Sequence, residues 1–267
     1  MSRFFTTETG DLPEFHPGLR MLTVKSDALK RRADITLFDG AAATGKQADG
    51  IPVVILLHGV YGSHWAWTLN GRAHEVLLSM MREGRVEPML LVMPSDGLYG
   101  DGSGYLPHRD ADYESWIVDD VVAAVRENCP GVTADSKFFI TGLSMGGYGA
   151  LRLGARHPQL FSGFSGMSSI TGFDQMKLFV QDFETLSGNV LRRDEVLDEL
   201  LQNESRLKPF RFDCGSEDLL IEYNRDLHQR LEEKGIEHEY REHPGAHRWV
   251  YWQEHLGDQL EFFARLT

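Results

Sequence analysis

Residues 51–59 read Ile-Pro-Val-Val-Ile-Leu-Leu-His-Gly, an apolar run that stops at glycine. A strand with one face in water alternates apolar and polar residues. A strand without that alternation has both faces covered, as in parallel sheets flanked by helices. This run therefore points to the α/β class. Residues 87–93 read as another buried strand, ended by Pro94, and further strands are read at 137–141, 162–167, 210–214 and 237–242. Between them, 72–83, 113–128, 145–157, 219–234 and 248–265 suit helices; Trp116, Ile117, Val121 and Val125 show the helical spacing most clearly. Strands alternating with helices predict a mostly parallel central sheet with helices on both faces. Ahead of it, 19–26 and 32–38 alternate around a polar turn, which predicts an antiparallel hairpin.

Ligands of such sheets bind where loops leave the carboxyl ends of the strands. Two segments stand out there. Residues 94–113 form a long loop rich in Gly, Asp, Tyr and Pro, and loops of that length in a compact domain usually carry function. Residues 170–206 break the strand–helix rhythm, irregular at first and helical around 193–203. They read as an insertion over the site within one domain spanning 1–267. Residues 40–50 read as a loop.

The composition narrows the function classes. With 267 residues and 42% hydrophobic content, the chain can bury a large core without disulfides or metals. Its two cysteines, Cys129 and Cys214, are expected to be free thiols in a reducing compartment. A formal charge of −13 gives no counterion-release gain on nucleic acid, so none is expected as a partner. The start of the chain lacks a basic segment followed by an apolar run, and no stretch approaches the ~20 apolar residues of a membrane span. A cytoplasmic protein without membrane association is expected, its oligomeric state open, a homo-oligomer included.

The chemistry lies in Gly142-Leu143-Ser144-Met145-Gly146, a G-x-S-x-G pattern. Five residues alone are a weak signal, and a glycine-rich packing turn would match them too. Their setting strengthens it: a strand precedes the serine, and a helix rich in small residues follows. The serine of such a motif sits on a sharp strand-to-helix turn with its hydroxyl exposed, and small residues two before and two after relieve the crowding. A serine hydroxyl needs a base, and the base an orienting carboxylate, in the order Ser, Asp or Glu, His. Around the strand at 210–214, PFRFDCGSEDLL offers Asp213, Glu217 and Asp218. Asp213 falls within the strand, so Asp218 is preferred and Glu217 is the alternative. For the base, His238 falls within a strand. His243 and His247 follow it, and His247 opens the last helix after a Pro-Gly turn, where it can reach Ser144. Pro244 and Gly245 disfavour a helix that would turn His243 and His247 into a zinc pair, so no metal is expected.

An oxyanion needs preorganised N–H donors. Met145, after the nucleophile, should give one. The loop after 51–59 should give the other, with Val60 the first choice and Tyr61 the second. His58 is expected to order this loop; Gly59 and Gly62 alone would also fit a plain turn. Gly100, Gly102 and Gly104 lack the following helix and lysine of a phosphate loop. Trp65, Trp67 and Tyr99 are expected to line the substrate pocket, although core packing is an equally good reading of the tryptophans.

These segments resemble an esterase family of the α/β-hydrolase fold that includes tributyrin esterase-like enzymes, S-formylglutathione hydrolases (esterase D), feruloyl esterases and mycolyltransferases. The resemblance is carried by ILLHGVYGSHWAW, MPSDGLYGD, YESWIVDDVV, GLSMGGYGALRLGARHPQLFSGFSGMSS, CGSEDLLIEYNRDL and HPGAHRWVYWQEHL, in the family's order from about residue 51 to 263. It implies a Ser144–Asp218–His247 triad, no cofactor, and action on short acyl esters or thioesters; the aromatic content of the expected pocket walls suits an apolar or aryl acyl group. The ending PGAHRWVYW is closer to tributyrin esterase-like members, while 170–206 matches no pattern of the family. The expected function is a serine carboxylesterase acting on a small-molecule ester through an acyl-serine intermediate. Alternatives are a thioesterase, an acyltransferase to an alcohol and, from another class, a non-catalytic binding module on a hydrolase scaffold.

Overall fold

The computed structural model describes residues 2–12, 15–46 and 48–267. Among these residues nine strands form one sheet: β1 (Thr7–Asp11), β2 (Leu19–Ser26), β3 (Arg31–Asp39), β4 (Val53–Leu57), β5 (Leu90–Pro94), β6 (Phe138–Gly142), β7 (Phe161–Met167), β8 (Phe210–Gly215) and β9 (Glu239–His243). Their order is β1-β2-β3-β5-β4-β6-β7-β8-β9. The pairs β1–β2, β2–β3 and β3–β5 are antiparallel, and every later pair is parallel. This is the α/β-hydrolase fold, with the expected hairpin ahead of a parallel sheet.

The unbroken apolar runs are explained by the two cores. Val53, Ile55 and Leu57 face one cluster, while Val54 and Leu56 face the other. On the first side lie the helices Val122–Asn128 and Met145–Arg156; on the second lie Ala73–Arg82 and Trp249–Ala264. Both faces are thus dry, and neither could accept alternation.

Some elements differ from expectation. Strand β1 is polar and mostly exposed, and it forms through backbone pairing with β2, from Thr7↔Val24 to Asp11↔Arg20. Pro94 is the last residue of β5, opposite Ile35, where a missing N–H matters least. The helical stretch from Tyr113 to Asn128 contains a π-helical portion, Trp116–Val121. It carries buried Asp120, which accepts hydrogen bonds from Ser26 Oγ (2.5 Å), the Ala28 N–H (3.1 Å) and Arg3 Nε (2.6 Å). Among the described residues no helix is long and apolar enough to cross a membrane. Cys129 and Cys214 are buried and free.

Residues 170–206 hold a 3-10 helix (Phe173–Leu178) and the helices Phe183–Asn189 and Val196–Gln202. An ionic cluster fastens their second half. Arg152, fully buried on the helix after Ser144, reaches Glu114 at 3.4 Å, Asp194 at 3.2 Å and the Tyr105 carbonyl at 3.0 Å. Arg156 joins Glu114, Asp194 and Glu199, and Arg192 joins Glu114 and Asp194.

Burial alone would raise the Glu114 carboxyl. The His157 hydrogen bond and the Arg152 and Arg156 charges outweigh it and hold the group below its ordinary range. A depressed carboxyl adds stability that is fully present above its unfolded value, near ~4.3, and lost as pH falls through the lower folded value. Glu114→Gln is expected to cost up to about 3 kcal/mol at neutral pH, the low end for a broken buried pair. The low end applies because Asp194 and the Tyr105 carbonyl still serve Arg152. Urea denaturation checks this, and the gap to wild type should shrink as acid protonates Glu114.

Candidate active site

Strand β6 delivers the chain to Ser144, and the helix Met145–Arg156 carries it away. At the corner Ser144 takes φ 55° and ψ −118°, a conformation that L-residues rarely adopt. The corner is tight on both sides. A Cβ at Gly142 would collide with the Gly146 carbonyl, and one at Gly146 with the Leu57 carbonyl of β4. This is the crowding that the small residues of the motif relieve. The Ser144 N–H donates to the Met167 carbonyl of β7 at 3.0 Å, which anchors the turn. The serine is 2% exposed and forms part of a cleft.

His247 arrives from the loop after β9. That loop is pinned to the end of β8 by Ser216 N–H to the His243 carbonyl (2.8 Å) and Glu217 N–H to the Gly245 carbonyl (2.9 Å). Gly245 has φ 137°, and a Cβ there would lie 2.8 Å from the Tyr251 ring, so the turn favours glycine. The His247 Nε2 stands 3.0 Å from Ser144 Oγ. Its Nδ1 stands 2.9 Å and 3.0 Å from the two oxygens of Asp218. Asp218 is buried just after β8, and its Oδ1 also accepts the Leu220 N–H at 2.9 Å. With Asp218 ionised, the imidazole proton sits on Nδ1, and Nε2 is left to accept from the serine hydroxyl.

The other candidates lie elsewhere. Glu217 is exposed. Asp213 is buried in β8, where it accepts from Tyr251 Oη (2.8 Å) and Gln259 Nε2 (2.5 Å). His238 stacks on Phe210 and Phe212. His243 does not pair with His247. It stacks on His255, centroids 4.0 Å apart and planes 18° apart, with Asp258 beside them. Parallel imidazoles hold their in-plane lone pairs side by side, a poor arrangement for converging on one ion.

The loop after β4 passes close to the elbow: a Cβ at Gly59 would lie 2.8 Å from Leu143 Cδ1 and 3.2 Å from Ser144 Cβ. His58 braces it. Nδ1 donates to the Gly59 carbonyl at 2.7 Å, and Nε2 accepts the Asp96 N–H at 3.0 Å. Among the described residues neither the Val60 nor the Met145 N–H has a hydrogen-bond partner. The Tyr61 N–H is taken by the Asp101 carbonyl at 3.0 Å, which removes it as an oxyanion donor.

The cleft beside Ser144 has a volume of about 510 Å³. Trp65 lines it, as expected, together with Val60, Tyr61, Phe179, Trp249 and Trp252, and Asn70 and Arg248 add polar groups. Two expected lining residues need correction. Trp67 is 1% exposed in the core, and its indole N–H donates to the Leu57 carbonyl at 3.0 Å. Tyr99 lies outside the cleft, bonded to Asn189 and packed edge-on against His108 and Tyr113. Trp249 and Trp252 follow His247 on the last helix, so the HRWVYW segment held a signal for them. Phe179 had none. A second concavity of about 570 Å³ lies at the opposite, N-terminal ends of β8 and β9, away from the serine.

Comparison with known proteins gives the family and the fold. The sequence profile of the family described as "Putative esterase" matches residues 26–263. An acetyl esterase of Caldicellulosiruptor saccharolyticus is 26% identical over 239 residues, which cover 82% of this chain and 86% of that protein. Among solved structures, a ferulic acid esterase superposes with a TM-score of 0.78 at 22% identity, covering 98% of this chain and 100% of the other. An S-formylglutathione hydrolase of Staphylococcus aureus gives a TM-score of 0.75 at 18% identity, covering 93% and 99%.

Proposed function

This chain belongs to the "Putative esterase" family and is a carboxylic-ester hydrolase, and from that premise we propose that it cleaves short-chain acyl or aryl esters through an acyl intermediate on Ser144. The observation that carries this reading is the relay itself: His247 has Nε2 at 3.0 Å from Ser144 Oγ and Nδ1 at 2.9 Å from Asp218.

His247 takes the hydroxyl proton as Ser144 Oγ attacks the ester carbonyl. Asp218 holds the imidazole in the tautomer that can accept and stabilises the imidazolium that forms. The N–H groups of Val60 and Met145 receive the oxyanion, each worth roughly 3–4 kcal/mol of transition-state stabilisation by analogy with a measured oxyanion donor. The tetrahedral intermediate collapses, the alkoxy group leaves with the proton from His247, and the acyl group stays on Ser144. Water then attacks by the same route in reverse roles, the acid departs, and the serine regains its proton.

We take residues 170–206 as the cover of this site within a single domain, because Phe179 stacks on the His247 ring with centroids 5.1 Å apart. The buried free thiols support a reducing, cytoplasmic location. A panel of p-nitrophenyl esters tests the substrate class. Acetate and butyrate should exceed octanoate in kcat/KM by at least about tenfold, since each misfitting methylene forfeits binding. A flat or rising profile with chain length contradicts the short-chain reading.

A further inference from the structure

Three loops from distant parts of the chain meet beside the imidazole. Tyr61, after β4, has a φ of 61°. A non-glycine residue held there persists only where its neighbours over-determine it. Its N–H donates to the Asp101 carbonyl at 3.0 Å, and its hydroxyl donates to the Phe179 carbonyl. Asp101 closes the circuit, its Oδ2 accepting the Gln181 N–H at 2.7 Å. The chain at 179–181 is therefore tied at both ends. Phe179, at the first tie, lays its ring over His247 at an interplanar angle of 27° and walls the cleft. Tyr61 is 66% exposed, so water competes for its hydroxyl and the tie is weak enough to open.

We propose that Tyr61 and Asp101 are specificity-determining positioning residues: they latch 179–181 so that Phe179 stands over the imidazole and limits the size of the ester group admitted. The inference rests on reading the cleft as the ester site. The latching groups are the Tyr61 hydroxyl and the Asp101 carboxylate, and both act through Phe179. With the latch cut, Phe179 can swing away, and bulky esters gain more than small ones.

The test compares wild type with Tyr61→Phe, Asp101→Ala, Phe179→Ala and the Tyr61→Phe/Phe179→Ala double variant. The ratio of kcat/KM for p-nitrophenyl octanoate to that for the acetate should rise about tenfold in Tyr61→Phe, and at least as far in Phe179→Ala. The double variant should go no further than Phe179→Ala alone, because the two changes act on one element. A merely structural role would scale both esters alike, and an unmoved ratio overturns the proposal. Hydrogen exchange at the Gln181 amide gives an answer without substrate. It should be faster in Tyr61→Phe and Asp101→Ala than in wild type, and equal rates overturn the latch. Failure of the ester reading has a separate signature, no turnover of any ester by wild type, and in that case the exchange rates still decide the latch.

Discussion

Ser144→Ala is expected to lower kcat on p-nitrophenyl butyrate by about 10⁵–10⁶-fold, with little change in KM. The alanine removes one oxygen from a side chain that is 2% exposed, so the cleft walls and the fold should survive. What disappears, on the proposed mechanism, is the hydroxyl that His247 Nε2 deprotonates from 3.0 Å away. The Val60 and Met145 N–H groups remain in place, so slow direct attack by water should persist as a residual rate. His247→Ala should cost a similar factor. The Ser144→Ala/His247→Ala double variant should cost little more, because residues acting as one unit are not additive. Steady-state rates, with circular dichroism as a folding control, check all three.

Asp218→Asn is expected to reduce kcat by about 10⁴-fold, or roughly 5 kcal/mol at 1.36 kcal/mol per tenfold. Both carboxylate oxygens lie within hydrogen-bond distance of His247 Nδ1, so the wild-type residue accepts there whichever way it turns. An asparagine can offer its NH₂ instead, and the imidazole then keeps its proton on Nε2, facing the serine it must deprotonate. The Leu220 N–H can still find the amide oxygen, so stability should change far less than rate. The neighbouring carboxylates give the contrast. Glu217→Gln should leave kcat unchanged, since that side chain is exposed and apart from the relay. Asp213→Asn should lower stability instead. Asp213 is wholly buried, Tyr251 Oη donates to its Oδ1 and Gln259 Nε2 to its Oδ2, and an amide would leave one of these donors facing an NH₂. Three acids within six positions thus separate by phenotype.

The sequence made the parallel sheet legible because burial of both strand faces leaves a residue pattern. Val53–Leu57 can be read without coordinates. Strand β1 could not be read, because backbone pairing at a sheet edge needs no apolar residues. The helix Phe183–Asn189 was missed for a related reason. Leu186 and Ser187 are its only buried positions, and two residues make no periodic stripe. At the site, Ser144, Asp218 and His247 were marked by chain order and turn chemistry, and the structure brings the three within hydrogen-bond distance. The pocket walls were less legible. Trp65 and Trp67 lie two apart, yet one lines the cleft and the other is core, because the chain turns into the short helix Ala66–Leu69 between them. Phe179 depends on where an irregular segment folds back, and the latch through Tyr61 and Asp101 joins residues up to 118 positions apart.

Covalent labelling asks whether the acyl group rides on Ser144. Wild-type protein treated with a fluorophosphonate and digested for peptide mass spectrometry should carry one adduct, on the peptide containing Ser144, with activity lost in step with labelling. Activity that persists at full modification of Ser144, or inactivation by an adduct at another residue, would contradict the account.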